Sequence, residues 1–266
     1  MLMASTNLPC LKSRFPFRLG TTSYILPDTI IPNVRFLGPF LDEVELVLFE
    51  SGREDNLPSP ADITALSALG ATQDLTYNVH LPTDVLLGHP DEEIRSAACA
   101  TVMRFYERTR SLPPTLYCLH LEKGKDGEMT PDRVGTWLTN SMYSLENLLA
   151  AGLPRDHVAV ENIDYTFRWI YPLVREFDLP ICLDIGHLLI QGEDLETYLE
   201  LYGDRTVMIH LHGVEEGRDH RSLAGIPDRE WGMVASFLKE YRGGLSLEVF
   251  SREDLHRSLT RMEELL

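Results

Sequence analysis

Basic residues are scarce in this chain of 266 residues: 24 Lys and Arg stand against 41 Asp and Glu, for a net charge of −17 at pH 7 and an isoelectric point near 4.9. Proteins that track a nucleic-acid backbone neutralise its phosphates with clustered Lys and Arg. Only scattered pairs occur here, such as Lys123 with Lys125 and Arg218 with Arg221. A nucleic-acid partner is therefore disfavoured, and some of the acid is expected to bind metal or to face solvent. Cysteine is scarce too. Cys10, Cys99, Cys118 and Cys182 are far apart and form no C-x-x-C pair, which argues against a zinc site built on cysteine. Cys118 and Cys182 fall in apolar runs, where buried free thiols and a reducing cytoplasm are expected. No apolar run approaches the ~20 residues of a membrane span. Residues 1–14, interrupted by Pro9, lack the apolar block of a signal peptide and are expected as a flexible tail. Also missing is a G-x-G-x-x-G in the first turn, Leu19-Gly20-Thr21-Thr22-Ser23, which disfavours a doubly wound dinucleotide-binding sheet.

What is present is alternation. Apolar residues make up 44% of the chain, enough for a sizeable core. Short apolar or β-branched runs cover residues 18–22, 44–49, 75–81, 116–121, 158–161, 181–185, 207–212 and 245–249. Between them lie amphipathic, helix-like stretches, among them 91–111, 130–150 and 229–241. Asp91 and Thr130 are placed to cap helices, and Pro131 suits a first helical position. Gly70, Gly152 and Gly243 fall where helices should stop. Eight strand–helix pairs with no spare strand and no Gly-, Pro- or Ser-rich linker are what a (β/α)8 TIM barrel requires. The expected fold is α/β, a single TIM-barrel domain over residues 15–266.

A barrel interior should be filled by apolar side chains, yet strands three to eight each end in His, Asp or Glu. Strand three ends on His80, strand four on His120 and strand five on Glu161. Strand six reaches Asp184, with His187 just beyond; strand seven carries His210 and His212; strand eight ends on Glu248. Unpaired buried charges are costly, so these residues must neutralise one another. Carboxylates and imidazoles gathered at the C-terminal mouth, where this fold keeps its active sites, make a natural site for divalent metal, with zinc or manganese expected. The polar segment Arg218-Asp219-His220-Arg221 after strand seven offers further donors in Asp219 and His220. Glu45 alternates with the apolar residues of strand two and is a candidate to point inward. Glu50 is expected as a loop charge, and His89, His157 and His256 as solvent-facing.

Taken in strand order, these residues resemble those of the xylose isomerase-like TIM barrels (AP endonuclease family 2), which include endonuclease IV. The resemblance implies a core metal on Glu161, Asp184, His210 and Glu248. For the phosphodiester-cleaving members it implies a second ion on His80 and His120, bridged by Glu161, and a third on His187 and a D-x-H after strand seven. His220 matches that last histidine, but Asp219 adjoins it instead of standing two residues before. A narrower resemblance is to the cobamide-remodelling phosphodiesterases. It is carried by Leu19-Gly20-Thr21-Thr22-Ser23-Tyr24-Ile25, Asn33-Val34-Arg35, Val44-Glu45-Leu46-Val47-Leu48-Phe49-Glu50, Asn78-Val79-His80-Leu81-Pro82 and His212-Gly213-Val214. That resemblance implies a hydrolase with two or three divalent ions and a corrinoid substrate of the vitamin B12 type. It would cut the nucleotide-loop phosphodiester to cobinamide phosphate and an α-riboside, for exchange of the lower base. Glu161 and Glu248 would be catalytic, orienting a hydroxide; His212, Arg218, Arg221, Lys123 and Glu45 are the candidate substrate contacts. The alternatives are a sugar isomerase or epimerase of the same superfamily, an abasic-site endonuclease, and a barrel that binds corrinoid or metal without catalysis. An isomerase needs only the core set, its two glutamates moving a proton across a carbonyl carbon, and does not require His80 and His120.

Overall fold

A computed structural model of the chain describes residues 8–53, 56–125 and 127–266. Its strands are β1 (Arg18–Thr22), β2 (Glu43–Val47), β3 (Thr76–His80), β4 (Tyr117–Leu119), β5 (Val158–Glu161), β6 (Ile181–Asp184), β7 (Thr206–Leu211), β8 (Gly213–Glu215), β9 (Arg218–Arg221) and β10 (Gly244–Leu247). All but β8 and β9 close into a parallel barrel, in the order β1-β10-β7-β6-β5-β4-β3-β2. Closure leaves no sheet edge, and helices cover the outside, so the strands are buried on both faces. That burial is why they read as continuous apolar runs. The helices are α1 (Ile30–Leu37), α2 (Pro60–Gln73), α3 (Glu92–Thr109), α4 (Pro131–Ala150), α5 (Tyr171–Glu176), α6 (Ile185–Gln191), α7 (Leu195–Tyr202), α8 (Asp228–Leu238) and α9 (Arg252–Met262). Among the described residues none is long and apolar enough to cross a membrane.

Local chemistry explains most boundaries. Asp91 and Thr130 accept the main-chain N–H of Glu93 and Arg133 and so start α3 and α4, with Pro131 opening the latter. Gly152, at φ +100°, follows the end of α4 in a conformation that favours glycine. Gly70 and Gly243 are corrected. Gly70 lies inside α2, which runs on to Gln73 and stops at left-handed Asp74. Gly243 is needed for close approach to β7, since an added Cβ would lie 2.3 Å from the Val207 carbonyl oxygen. Of the expected tail, residues 1–7 lie outside the described residues. Leu8 and Leu11 are buried in the core, and Lys12 Nζ donates to the carbonyls of Gly38 (3.3 Å) and Leu41 (2.7 Å).

The two ends of the lumen differ. At the N-terminal end the buried Glu43 carboxylate is fully served. Arg18 Nε (3.2 Å), Thr76 Oγ1 (3.0 Å) and Thr115 Oγ1 (2.6 Å) donate to one oxygen, and Asn78 Nδ2 (3.0 Å) to the other. Leu116, Cys118, Ala159, Cys182 and Met208 fill the lumen above it. At the C-terminal end one oxygen each of Glu45, Asp184 and Glu248 is buried without a hydrogen-bond partner.

Candidate metal centre

Parallel register brings the strand ends to one level. Asp184 on β6 stands beside His210 on β7, and His210 beside Ser246 on β10, two residues before Glu248. Donor atoms of Glu161, Asp184, His210 and Glu248 lie within 4.8 Å of one another, all buried. His210 Nδ1 is 3.2 Å from Glu161 Oε1 and 3.7 Å from Glu248 Oε2. Asp184 is fixed because β6 passes into α6 without a loop. Its Oδ1 caps the helix by accepting from His187 N–H (2.7 Å), and the Asn162 side chain pairs with its main-chain N–H and carbonyl.

The second oxygen of Glu161 faces another group. Oε2 lies 3.2 Å from His80 Nε2, 3.0 Å from His120 Nε2 and 2.7 Å from Cys118 Sγ. His80 Nδ1 is 2.9 Å from the Leu81 carbonyl and His120 Nδ1 is 3.0 Å from Glu122 Oε1, so both nitrogens of each ring face an oxygen acceptor. A third group forms beside the first, where ring nitrogens of His187, His212 and His220 lie within 4.8 Å of one another. β8 and β9 make an antiparallel ribbon whose turn carries Glu216 and Gly217 at positive φ. An extra residue in β9 makes a bulge, and His220, at φ +51°, turns inward there. Gly186 makes room for the His212 ring, which an added Cβ would meet at 2.2 Å.

These residues fit a divalent cation. Asp184 Oδ2 and Glu248 Oε2 are buried without a hydrogen-bond donor, which is costly unless a positive charge faces them. The donors are the oxygens and imidazole nitrogens that zinc and manganese accept. Without metal, protons fill the same role. Burial pushes the Glu161 carboxyl up, but His210 and His120 outweigh it and hold it well below the carboxylate range. Burial, reinforced by Asp184, Glu161 and Glu45 against the pull of His210, pushes Glu248 well above that range. Burial favours neutral His120, yet Glu161 and Glu122 raise it to about 10. His220 goes the other way: burial and the neighbouring His212 hold it down to about 4, so its ring is neutral at pH 7.

Several expected contacts are placed differently. Glu45 is fully buried against His210, with Oε1 3.0 Å from Nε2. Asp219 is half-exposed and no nearer than 3.9 Å to His220 Nε2; His212, expected to touch substrate, completes the three-histidine group instead. Lys123 is bound to Asp164 Oδ2 (2.5 Å), Arg221 sits 3.6 Å from Asp254 Oδ2, and Arg218 is exposed at the ribbon turn. Glu50 lines a recess of about 350 Å³ with Tyr24, Phe49 and Phe250, and Phe49 packs edge-on against His80. His157 is exposed, whereas His89 is half-buried and accepts from Asp91 N–H (3.0 Å), and His256 is half-buried too. Asn162, Glu122 and Cys118 escaped notice as site residues. Only Cys118 left a signal, standing two residues before His120 and so on the same face of the strand.

The sequence profile of the xylose isomerase-like TIM barrels matches residues 37–265. The chain belongs to that family. No curated protein sequence matches it. Among solved structures, this xylose isomerase-like barrel is similar to a D-tagatose 3-epimerase-like protein, with 20% identity, a TM-score of 0.76, and 94% of this chain and 97% of the other covered. It is also similar to the D-psicose 3-epimerase of Clostridium cellulolyticum H10, with 16% identity, a TM-score of 0.72, and coverage of 94% and 98%. Endonuclease IV from Thermus thermophilus follows the barrel with 20% identity, a TM-score of 0.65, and coverage of 93% and 99%. The expectation of a hydrolase that cuts the phosphodiester of cobamides is corrected here, because the whole-chain likeness runs to sugar epimerases and an endonuclease. The N-terminal residues that suggested a corrinoid also have structural work. Thr21 and Thr22 hydroxyls donate to the Leu247 and Val249 carbonyls, Ser23 Oγ accepts from Val47 N–H, and Asn33 ties together the loop before α1. What stands is an enzyme-like, buried cluster of His, Glu, Asp and Cys suited to one or more divalent metal ions.

Proposed function

We propose that this barrel is a metal-dependent epimerase of a ketose, moving a proton at a carbon next to the sugar carbonyl. The observation that carries the reading is that Glu161 and Glu248 approach the same His210 nitrogen from different strands, flanking the space that Asp184 closes. A divalent cation held by these four residues would polarise the substrate carbonyl. Glu161 then removes the proton from the neighbouring carbon, and Glu248 returns one to the opposite face. The aromatic recess beside His80 gives the C–H face of a sugar rings to pack against. The epimerases named above support the reading by their likeness over the whole barrel.

A second reading, strand cleavage at abasic DNA, is favoured by the three-histidine group and opposed by the net charge of −17. One experiment separates the two. Protein loaded with manganese or cobalt is incubated in deuterated water with a panel of ketoses, and the sugars are followed by NMR. The epimerase reading expects deuterium at the carbon next to the carbonyl together with the epimeric sugar, both lost in Glu248→Gln. No exchange in any ketose, with cleavage of an abasic duplex instead, overturns it.

A further inference from the structure

The ladder between β5 and β6 stops short of the metal centre. Glu161 beside Cys182 is its last pair, and beyond Glu161 the main chain of β5 leaves the ladder while β6 runs on to Asp184. Asp184 is fully buried, so its main-chain N–H and carbonyl cannot be left to water. One side chain serves both. Asn162 Oδ1 accepts from the Asp184 N–H at 2.7 Å, and Asn162 Nδ2 donates to the Asp184 carbonyl at 2.9 Å. A planar amide offers an acceptor and a donor side by side, as a peptide unit does, and among side chains of this length only asparagine carries both. Asn162 follows Glu161 in the chain, and its own carbonyl oxygen lies 3.3 Å from His187 Nδ1.

We propose that Asn162 is a positioning residue of the metal centre, its amide standing in for the missing ladder and setting the spacing at which Glu161 and Asp184 meet one cation. The amide acts through the main chain of Asp184, not on a carboxylate. With that main chain held by Asn162, and Oδ1 held by the His187 N–H at 2.7 Å, the Asp184 side chain has one orientation. Oδ2, buried without a hydrogen-bond partner, is then the oxygen left for the cation. Aspartate at this position would set an acceptor against the Asp184 carbonyl, and leucine would leave both main-chain groups unpaired. Groups that support a ligand from behind change metal affinity by about 10–100-fold. The inference rests on the metal centre and not on the sugar reading, because no substrate enters its test.

The test compares two amides. Gln191, at the end of α6, donates from Nε2 to the Ile163 carbonyl at 2.8 Å, so it tethers the same loop one residue further on. The full-length wild type, Asn162→Ala and Gln191→Ala are titrated with Co(II) against a chromophoric chelator, and their visible spectra are recorded. Asn162→Ala should bind its first Co(II) about 10–100-fold more weakly, with d–d bands shifted by the altered ligand geometry. Gln191→Ala should keep both affinity and bands. Equal losses in the two variants would make the tether merely structural and overturn the proposal, as would Asn162→Ala with the affinity and spectrum of the wild type. Hydrogen exchange on the metal-free wild type needs no variant to fold. The Asp184 N–H should exchange as slowly as amides within the barrel ladder, and exchange as fast as at the ribbon turn of Glu216 and Gly217 overturns the proposal.

Discussion

Replacing Glu45 by Gln asks whether the centre of Glu161, Asp184, His210 and Glu248 is tuned by the carboxylate on the far side of His210. Glu45 reaches across the lumen from β2, its Oε1 3.0 Å from His210 Nε2 and its Oε2 accepting from Ser246 Oγ at 2.5 Å. All of this is closed to solvent. A negative charge beside Nε2 keeps the ring proton there. Nδ1, which faces Glu161 and Glu248, is then left with the lone pair that binds metal. Gln fills the same space and can turn its amide oxygen toward the ring, but it brings no charge. Outer carboxylates of this kind change metal affinity by about 10–100-fold, equivalent to about 1.4–2.7 kcal/mol. Glu45→Gln should loosen the metal by that factor with unchanged far-ultraviolet circular dichroism. Glu45→Ala should also destabilise the fold by about 1–3 kcal/mol, because a buried donor loses its acceptor. Competition against a chromophoric chelator at fixed pH measures the affinity. If Glu45→Gln holds metal as tightly as the wild type, Nδ1 is not selected by Glu45 and the reasoning fails.

Two further outcomes follow from the same geometry. His120, raised to about 10 by Glu161 and Glu122 against the effect of burial, is charged at pH 7 in the metal-free chain. Loading at pH 7 should therefore release protons and tighten as pH rises, which calorimetry in buffers of different ionisation enthalpy would detect; proton-neutral loading refutes it. Since the folded value lies above the ordinary 6.5, the ring stabilises the metal-free fold fully below that pH and progressively less as pH climbs through about 10. Gly186→Ala places a methyl 2.2 Å from the His212 ring and should cost about 1–3 kcal/mol by overpacking. An unchanged urea midpoint would show that the ring has room to move.

How much of this was legible depended on whether the signal is local. The barrel could be read because parallel strands buried on both faces are short apolar runs, and because a polar residue closing such a run stands out, as Glu161 and Asp184 do. Strand ends slipped by a residue or two because the hydrogen-bond ladder, not hydrophobicity, sets them: β2 begins at Glu43, a charge that the network around it makes tolerable. The period of two turns Glu45 inward, but its depth beneath His210 follows from barrel stagger, which no single strand reveals. That His220 turns in beside His187 and His212 depends on a one-residue bulge with His220 at positive φ, which no local pattern announces. Cys118 read as apolar filling because its partners come from β3 and β5. Substrate was least legible. Thr21, Thr22 and Asn33, part of the pattern that pointed to a corrinoid, brace the barrel from within.

Charge at the mouth gives the last constraint on what can react there. The acidic residues of the centre are neutralised by one another's histidine protons or by metal, not by arginine or lysine. Lys123 is held by Asp164, Arg221 lies against Asp254, and Arg218 is exposed at the ribbon turn. An anionic substrate group would have to find its counter-charge on the cation alone, in a field set by a chain of net charge −17. A neutral polyol needs no such partner. Under the proposed epimerase reading it would meet the cation through its oxygens and pack its C–H face on Phe49 and Phe250. Glu161 ties the two halves of the centre together, with Oε1 toward His210 and Oε2 toward His80, His120 and Cys118.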